Sequence, residues 1–393
     1  MKKIPALHKI RDDKRLFYSP GEVEKPVYQK INEEIKNKYN ITLNSRDTII
    51  KNIINILTQG DHVNYKMLNL SISVIRTDIS NFYPSIDKHS LYKKISRSNI
   101  LTNNTLQILK PLFFSSSIKG IPLGLSFSSS LSEIYLEDFD TDILINFNPV
   151  FYFRYVDDII IVLNGEHQST KDKNIFKNIS IDKLDYLFNT YSLTRNDEKT
   201  KFAYHTKKDI DFAFEYLGYH FKSKDNKLCI DISDTKTKKI IKQIKHNFNI
   251  FKYGNQSTTN FWKLYYKLQH TIYGITSTDK SHKSTQFGLV FSYKFINSPQ
   301  QISKIINQVR YLIYSCKLSS YKKNTLLHLI SYSNDDILEI LIDKKYNYRN
   351  ITDKQVKIMC KRLNIQYKHT DKKETNIKRI FNAIHSNTKG SLI

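Results

Sequence analysis

The segment FYFRYVDDIIIVLNG, residues 151–165, sets two adjacent aspartates, Asp157 and Asp158, between apolar runs. Burial strips a carboxylate of its hydration, and a second one beside it adds like-charge repulsion. A fold that keeps the pair must supply a counter-charge. No Lys or Arg lies within the turn at Val156-Asp157-Asp158, and Arg154, on the strand before it, is expected to project elsewhere. A divalent cation meets the need, because Mg²⁺ takes carboxylate oxygens in a near-octahedral shell and shares itself with phosphates. A two-metal phosphoryl-transfer site takes about three carboxylates from neighbouring strands. A third aspartate is therefore required at the end of another strand. Asp78 supplies it, since VIRTDISNFYPSI reads as a strand over residues 73–79 running into a turn.

Charge narrows the partner. The chain has 393 residues and a formal net charge of +25, with 40% hydrophobic and 12% aromatic residues. That length and apolar content suffice for two to three domain-sized units. Abundant Ile, Lys, Asn and Ser fit a low-GC coding sequence, which accounts for part of the lysine excess. The remainder exceeds what solubility needs and points to a polyanion, most often nucleic acid. Cys229, Cys316 and Cys360 lie far apart with no metal-ligand spacing, as expected of a reducing interior. The start, MKKIPALHKI, has charge but no apolar core of a signal peptide, and no apolar run approaches the ~20 residues that span a bilayer. The expectation is a soluble, cytoplasmic protein without membrane contact.

Periodicity orders the elements. The first 70 residues read as mostly helical: KPVYQKINEEIKNKY spaces Val27, Ile31 and Ile35 on one face, and SRDTIIKNIINIL follows with Ser45 as N-cap. LTNNTLQILKPLFF is a helix ended near Pro111 or just after it, and GIPLGLSFSSSLSEIYLEDFDTDIL is a Gly/Pro loop feeding a long helix. NIFKNISIDKLDYLFNTY is a further helix, and FAFEYLGYHF alternates like a strand. From about Asp231 the chain is largely helical and basic, with Thr352 capping NITDKQVKIMCKRLNI. The sum is an α+β centre with helices at both ends.

On these residues the chain resembles the reverse transcriptases. Tyr155, Val156, Asp157 and Asp158 resemble the family's Y-x-D-D box, and the Asp78 strand with Tyr83 five residues on resembles motif A. GIPLGLSFSSSLSEI resembles motif B, LTRNDEKT motif D and FEYLGYHF the primer-grip motif E, in family order over about residues 71–221. The stretches DISNFYPSID and LSEIYLEDFD resemble bacterial defence-associated members, the abortive-infection and retron-related groups. The V-T-G that follows motif C in retrons is not visible, nor is a metal-binding endonuclease region or a maturase segment.

The resemblance implies roles. Asp78 and Asp157 would hold two Mg²⁺ ions, with Mn²⁺ as a substitute, assisted by Asp158 and the Ile79 carbonyl. Tyr83 would sit under the incoming sugar and exclude a 2′-hydroxyl; its other reading is a core tyrosine after a strand. Pro122 and Gly124 would let the backbone approach nucleotide and template, although Leu123 stands where the family usually has Gln. Lys199 would protonate the leaving pyrophosphate, or is an exposed loop lysine. Arg46 would reach the triphosphate, or is a solvated residue in a helix's first turn. Tyr216, Leu217 and Gly218 would form the primer grip.

Other residues admit plainer readings. Glu133, Glu137, Asp138 and Asp140 are expected on a solvated helix face, and Trp262 in a helical core. KTKKIIKQIKHNF alternates Ile240, Ile241 and Ile244 with Lys239, Lys242 and Lys245, which suits a helix tracking a phosphate backbone or a merely solvated face.

The implied architecture is a right-hand polymerase: fingers helices over 1–70, a palm of antiparallel sheet and helices with inserted fingers elements over 71–225, a helical thumb over 226–299, and a helical, basic extension over 300–393. The implied activity is RNA-directed DNA synthesis from deoxynucleoside triphosphates. It would copy a structured non-coding RNA into DNA in antiphage defence, with a partner protein or homo-oligomer open. Two alternatives stand beside it: untemplated or protein-primed DNA synthesis, and an RNA-binding scaffold without catalysis.

Overall fold

Alternation of side chains along β-branched segments builds the sheet that positions the aspartates. The computed structural model describes residues 8–12, 15–165, 169–206, 212–278, 284–331 and 344–385. The first seven residues of the charged start lie outside them. In chain order the elements open with a hairpin, β1 (His8–Asp12) and β2 (Arg15–Ser19), then α1 (Glu24–Lys38) and α2 (Arg46–Thr58). Next come β3 (Ile72–Asp78), α3 (Phe82–Ser85), α4 (Lys88–Arg97), α5 (Asn103–Phe113) and α6 (Ser128–Phe147). Strands β4 (Phe151–Tyr155) and β5 (Asp158–Asn164) precede α7 (Thr170–Thr190), β6 (Lys201–His205), β7 (Ala213–Tyr216), β8 (Tyr219–Lys224) and β9 (Lys227–Ile232). Then follow α8 (Asp234–Tyr253), α9 (Thr258–Ile272), β10 (Gly274–Thr278), β11 (Ser284–Phe287) and α10 (Leu289–Ser292). The chain closes with α11 (Gln300–Ser315), α12 (Ser320–Leu329), β12 (Lys345–Asn347), α13 (Asp353–Arg362) and α14 (Lys373–His385).

The chain divides into two compact units: Met1–Leu217 with Lys222–Leu228, and Gly218–Phe221 with Cys229–Ile393. In the first, four strands form an antiparallel sheet in the order β4-β5-β3-β6. Register places Ile75 opposite Ile161 and Thr77 opposite Ile159 on one face. That face joins Leu131, Phe139 and Ile143 of α6 and Leu184 and Phe188 of α7 in one core. Ile75, Ile159 and Ile161 are fully buried. Each such side chain stabilises by roughly 1.5–3 kcal/mol over exposure.

Three local expectations change. The N-terminal region is not only helical, because β1 and β2 pair antiparallel ahead of α1. On α1 the inward face is Tyr28, Ile31 and Ile35, while Val27 is 38% exposed. Tyrosine buries its ring as readily as an aliphatic, and it sits at the i−3 position from Ile31. Helix α5 ends at Phe113, just after Pro111 as expected, since a proline this near the C-terminus removes only one intrahelical donor. FAFEYLGYHF is two strands, because Leu217 (φ +46°) and Gly218 (φ +82°) make a two-residue turn of the left-handed kind that tight hairpins use.

In the second unit, α8, α9 and α11 bury apolar stripes that include Ile240, Ile244, Phe248, Leu264, Ile305 and Val309. Trp262 is 7% exposed, with the Arg362 guanidinium 3.6 Å above its ring. The region is not purely helical, since β10 pairs antiparallel with β11 and parallel with β12. Buried His270 bonds His385 at 3.0 Å and the Tyr348 hydroxyl at 2.6 Å, tying α14 to α9. Among the described residues no helix is long and apolar enough to cross a membrane.

Candidate active site

Residues two apart on a strand share a face. Arg76 and Asp78 therefore lie on the face of β3 opposite the core, and Asp78 pairs directly across from Asp158 on β5. Asp157 stands at the tip of the β4–β5 turn, where its carbonyl accepts the Ile79 amide at 3.1 Å. The Asp78 carbonyl accepts the Asn196 amide at 2.9 Å, and the Thr194 carbonyl accepts the Ser80 amide at 2.8 Å. The end of β3 is thus clamped between the turn and the loop before β6. The clamp brings one oxygen from each of Asp78, Asp157 and Asp158 within 4.8 Å of one another.

Like charges directly opposite on neighbouring strands oppose sheet formation. Burial, then the charges of Asp78 and Asp158, push Asp157 up to about 6. Burial also raises Asp158, with Arg76 opposing and Asp78 reinforcing the rise. The turn itself holds no cation, yet neighbouring segments do. Lys199 Nζ lies 2.7 Å from Asp78 Oδ2, and Arg76 Nη2 lies 3.4 Å from Asp158 Oδ1. Asn196 Nδ2 donates to Asp78 Oδ1 at 3.3 Å. Two cations against three carboxylates leave negative charge over, and the donor set is all carboxylate oxygen. Such a set fits a hard divalent cation.

The turn carries strain. Val156, a β-branched residue, adopts φ +60°, a conformation costing about 1–3 kcal/mol that persists only where the surroundings impose it. Arg154 supplies the hold. Its register opposite Ile159 turns it to the core face, where its Nη1 donates to the Val156 carbonyl at 3.1 Å. The same guanidinium lies 2.7 Å from both Glu133 Oε2 and Asp140 Oδ2 of α6, and the Tyr152 hydroxyl donates to Asp140. Glu133 and Asp140 therefore do not form the solvated face expected of them. Glu137 and Asp138 are exposed, each paired with Lys94.

Tyr83, on α3, is partly buried. Burial raises its phenol first, a Ser132 hydrogen bond works against that, and the Asp157 charge adds to it, while the ring packs against the core. Its carbonyl accepts the Ile121 amide at 2.9 Å, fastening the Gly/Pro loop. In that loop the Pro122 carbonyl accepts from Ser128 at 2.6 Å, and the Leu123 carbonyl accepts the Tyr18 amide of β2 at 2.7 Å. Gly124 has φ +105°, and a Cβ there would fall 2.7 Å from the Tyr18 carbonyl. The close backbone approach at Gly124 is to the chain's own β2.

Tyr216 is fully buried and donates its hydroxyl to the Asp158 carbonyl at 3.0 Å. Arg46, first in α2 after the Ser45 cap, donates Nε to the Leu217 carbonyl at 2.9 Å. Ile79 buries its side chain beside the aspartates. The structure thus gathers Asp78, Ile79, Asp157, Asp158, Tyr83, Lys199 and Tyr216. Lys239, Lys242 and Lys245 lie exposed on α8 of the second unit. Sequence reading missed Arg76, Asn196, Tyr18 and the Arg154 network. Arg76 was accessible to it, since period-two alternation puts it on the face of Asp78; the others depend on contacts distant in sequence.

The family model described as reverse transcriptase (RNA-dependent DNA polymerase) matches residues 23–221. No functionally curated protein sequence matches the chain. Among solved structures, telomerase from Candida albicans in complex with a TWJ fragment of telomeric RNA is similar at 12% identity and a TM-score of 0.42, over 98% of this chain and 62% of that one. Telomerase from Candida tropicalis with the same kind of fragment is similar at 11% identity and a TM-score of 0.42, over 84% and 64%. Apo telomerase from Candida tropicalis, truncated from the C-terminal domain, gives 14% identity and a TM-score of 0.38 over 58% and 54%. The chain spans less than two thirds of each of these structures.

Proposed function

The chain belongs to the reverse transcriptase (RNA-dependent DNA polymerase) family, and from that premise we propose that it adds deoxynucleotides to a primer by copying RNA, with Mg²⁺. The observation that carries this reading is the convergence of Asp78, Asp157 and Asp158 from adjoining strands. Asp78 and Asp157 would hold the ions, with Asp158 and the Ile79 carbonyl assisting. Ions bound there would supply Lewis-acid chemistry to the primer 3′-hydroxyl and the leaving pyrophosphate.

The chain's own residues do the rest. Lys199, 2.7 Å from Asp78 Oδ2, balances the carboxylate between turnovers and gives its proton to the pyrophosphate. Tyr83 lies beneath the incoming sugar and excludes a 2′-hydroxyl. Pro122 and Gly124 carry the backbone of the nucleotide-side loop, which Tyr18 braces. Tyr216, Leu217 and Gly218 seat the primer end, and Arg46, bonded to the Leu217 carbonyl, positions that turn. Lys239, Lys242 and Lys245 follow a phosphate backbone. The template is a structured non-coding RNA and the setting is cytoplasmic antiphage defence, a reading supported by DISNFYPSID and LSEIYLEDFD.

Primer extension on an RNA template with Mg²⁺ and the four deoxynucleotides tests the activity, with Asp157→Asn as the inactive control. Extension by wild type alone is expected. Equal extension by both proteins, or extension only without template, would overturn it. Sequencing the nucleic acid that co-purifies tests the dedicated RNA, which should appear as one dominant species.

A further inference from the structure

The second unit carries an aromatic and basic surface that the polymerase chemistry leaves unused. Helix α11 buries Ile302, Ile305, Ile306, Val309 and Ile313, so its opposite side faces out. On that side Tyr311 is 68% and Tyr314 64% exposed. Three residues apart, they are neighbours on one helix face. At the start of α12, Tyr321 is 67% exposed, and Tyr253 at the end of α8 is 77% exposed. The helices meet there: α11 packs against both α8 and α12, and α8 and α11 set out side by side, with Lys304 3.7 Å from Asp234. Of the six tyrosines exposed among the described residues, four stand at this one end of three packed helices.

Charge names the partner. From Gln300 to Ile330 the chain has Lys304, Arg310, Lys317, Lys322 and Lys323 and no acidic residue. The only carboxylate on α8 is Asp234, at its far end, where Lys304 and Gln301 take it up. A protein ligand for so one-sided a surface would have to be strongly acidic, and acidic peptides offer nothing planar for four tyrosines. A duplex has its bases stacked inside and offers the rings no face. A single strand offers both, phosphates for the amines and open base faces for the rings.

We infer that the outer face of α11, with the adjoining ends of α8 and α12, is a track for single-stranded nucleic acid, on which Tyr311 and Tyr314 stack successive bases. The track does not rest on the proposed polymerase activity, since it uses none of that site's groups. It would hold unpaired template or displaced product, and base stacking makes it tolerant of sequence.

The test measures binding of fluorescent 15-nucleotide single-stranded RNA, single-stranded DNA and a 15-base-pair duplex to the full chain carrying Asp157→Asn, which separates binding from catalysis. Tyr311→Ala with Tyr314→Ala should weaken single-strand binding by about tenfold per lost stack. Duplex affinity should stay within about twofold. Tyr311→Phe with Tyr314→Phe should restore most of the loss, because the ring and not the hydroxyl stacks. Loss with either single strand supports the track, and the ratio between them tells which sugar it carries. Unchanged single-strand affinity in the double alanine variant, an equal loss for duplex, or no rescue by phenylalanine would each overturn the proposal.

Discussion

Replacing Asp157 by Asn should stabilise the metal-free protein, and by an amount set by pH. In the folded chain Asp157 keeps its proton up to about 6, against an ordinary 3.8. Between those values the folded state holds a proton that the unfolded state has released, so wild-type stability falls as pH rises through the window. At ~1.4 kcal/mol per pH unit the full loss is roughly 3 kcal/mol, reduced to about 2 kcal/mol because the carboxylate is partly exposed to solvent. Asparagine has the same shape and no charge to desolvate. The variant should therefore exceed wild type by about 2 kcal/mol above about pH 7 without divalent ions, and match it near pH 4. Urea unfolding across that range reads the difference directly. Adding millimolar Mg²⁺ should stabilise wild type more than the variant and close or reverse the gap, since a ligand for the folded state alone adds stability by mass action. A difference that does not change with pH, or a variant less stable at neutral pH, would refute the repulsion argument whatever happened to activity.

Arg154→Met should lower stability by roughly 3 kcal/mol, since it strands Glu133 and Asp140 around a buried site; adding Glu133→Gln and Asp140→Asn should recover most of that loss in the same unfolding assay. Tyr83→Val should raise the ratio of ribo- to deoxynucleotide incorporation by about 10- to 100-fold, the range for opening a pocket by a small group. An unchanged ratio in an active variant would remove Tyr83 from the sugar site. Neutralising Lys239, Lys242 and Lys245 together should make the dependence of log affinity on log salt shallower by up to about 3, with melting temperature unmoved. An unaltered slope would leave α8 a solvated face.

The aspartates were legible because their cost is local: two adjacent carboxylates in an apolar run demand an explanation before any contact is known. Asp78 followed from the same demand. The helix caps at Ser45 and Thr352 were legible for a similar reason, each being a short-range bond to a backbone amide three residues on. What stayed hidden was set by distance in sequence. Arg154 was expected only to project away from the turn, and what it meets there, Glu133 and Asp140, is brought to it by α6. Tyr18 gave no sign of bracing Leu123, about a hundred residues later. The Arg46 side chain could be placed in a first helical turn, but its bond to Leu217 depends on a hairpin far along the chain. Val156 concealed its left-handed backbone because valine is the residue least expected there.

The register of the central sheet also governs when the site comes into being. Ile72 pairs with both Asn164 and His205, so the strand ending in Asp78 waits for partners about 90 and about 130 residues downstream. Such remote pairings must pay their loop-closure entropy before any contact rewards them, and they form slowly. On the ribosome Asp78 therefore emerges long before Asp157 and Asp158, and the bonds that the loop before β6 makes to the end of β3 form last. A nascent or truncated chain ending before that loop has the aspartates but not the clamp that gathers them. The clamp around the end of β3 is therefore complete only when the last strand of the sheet closes.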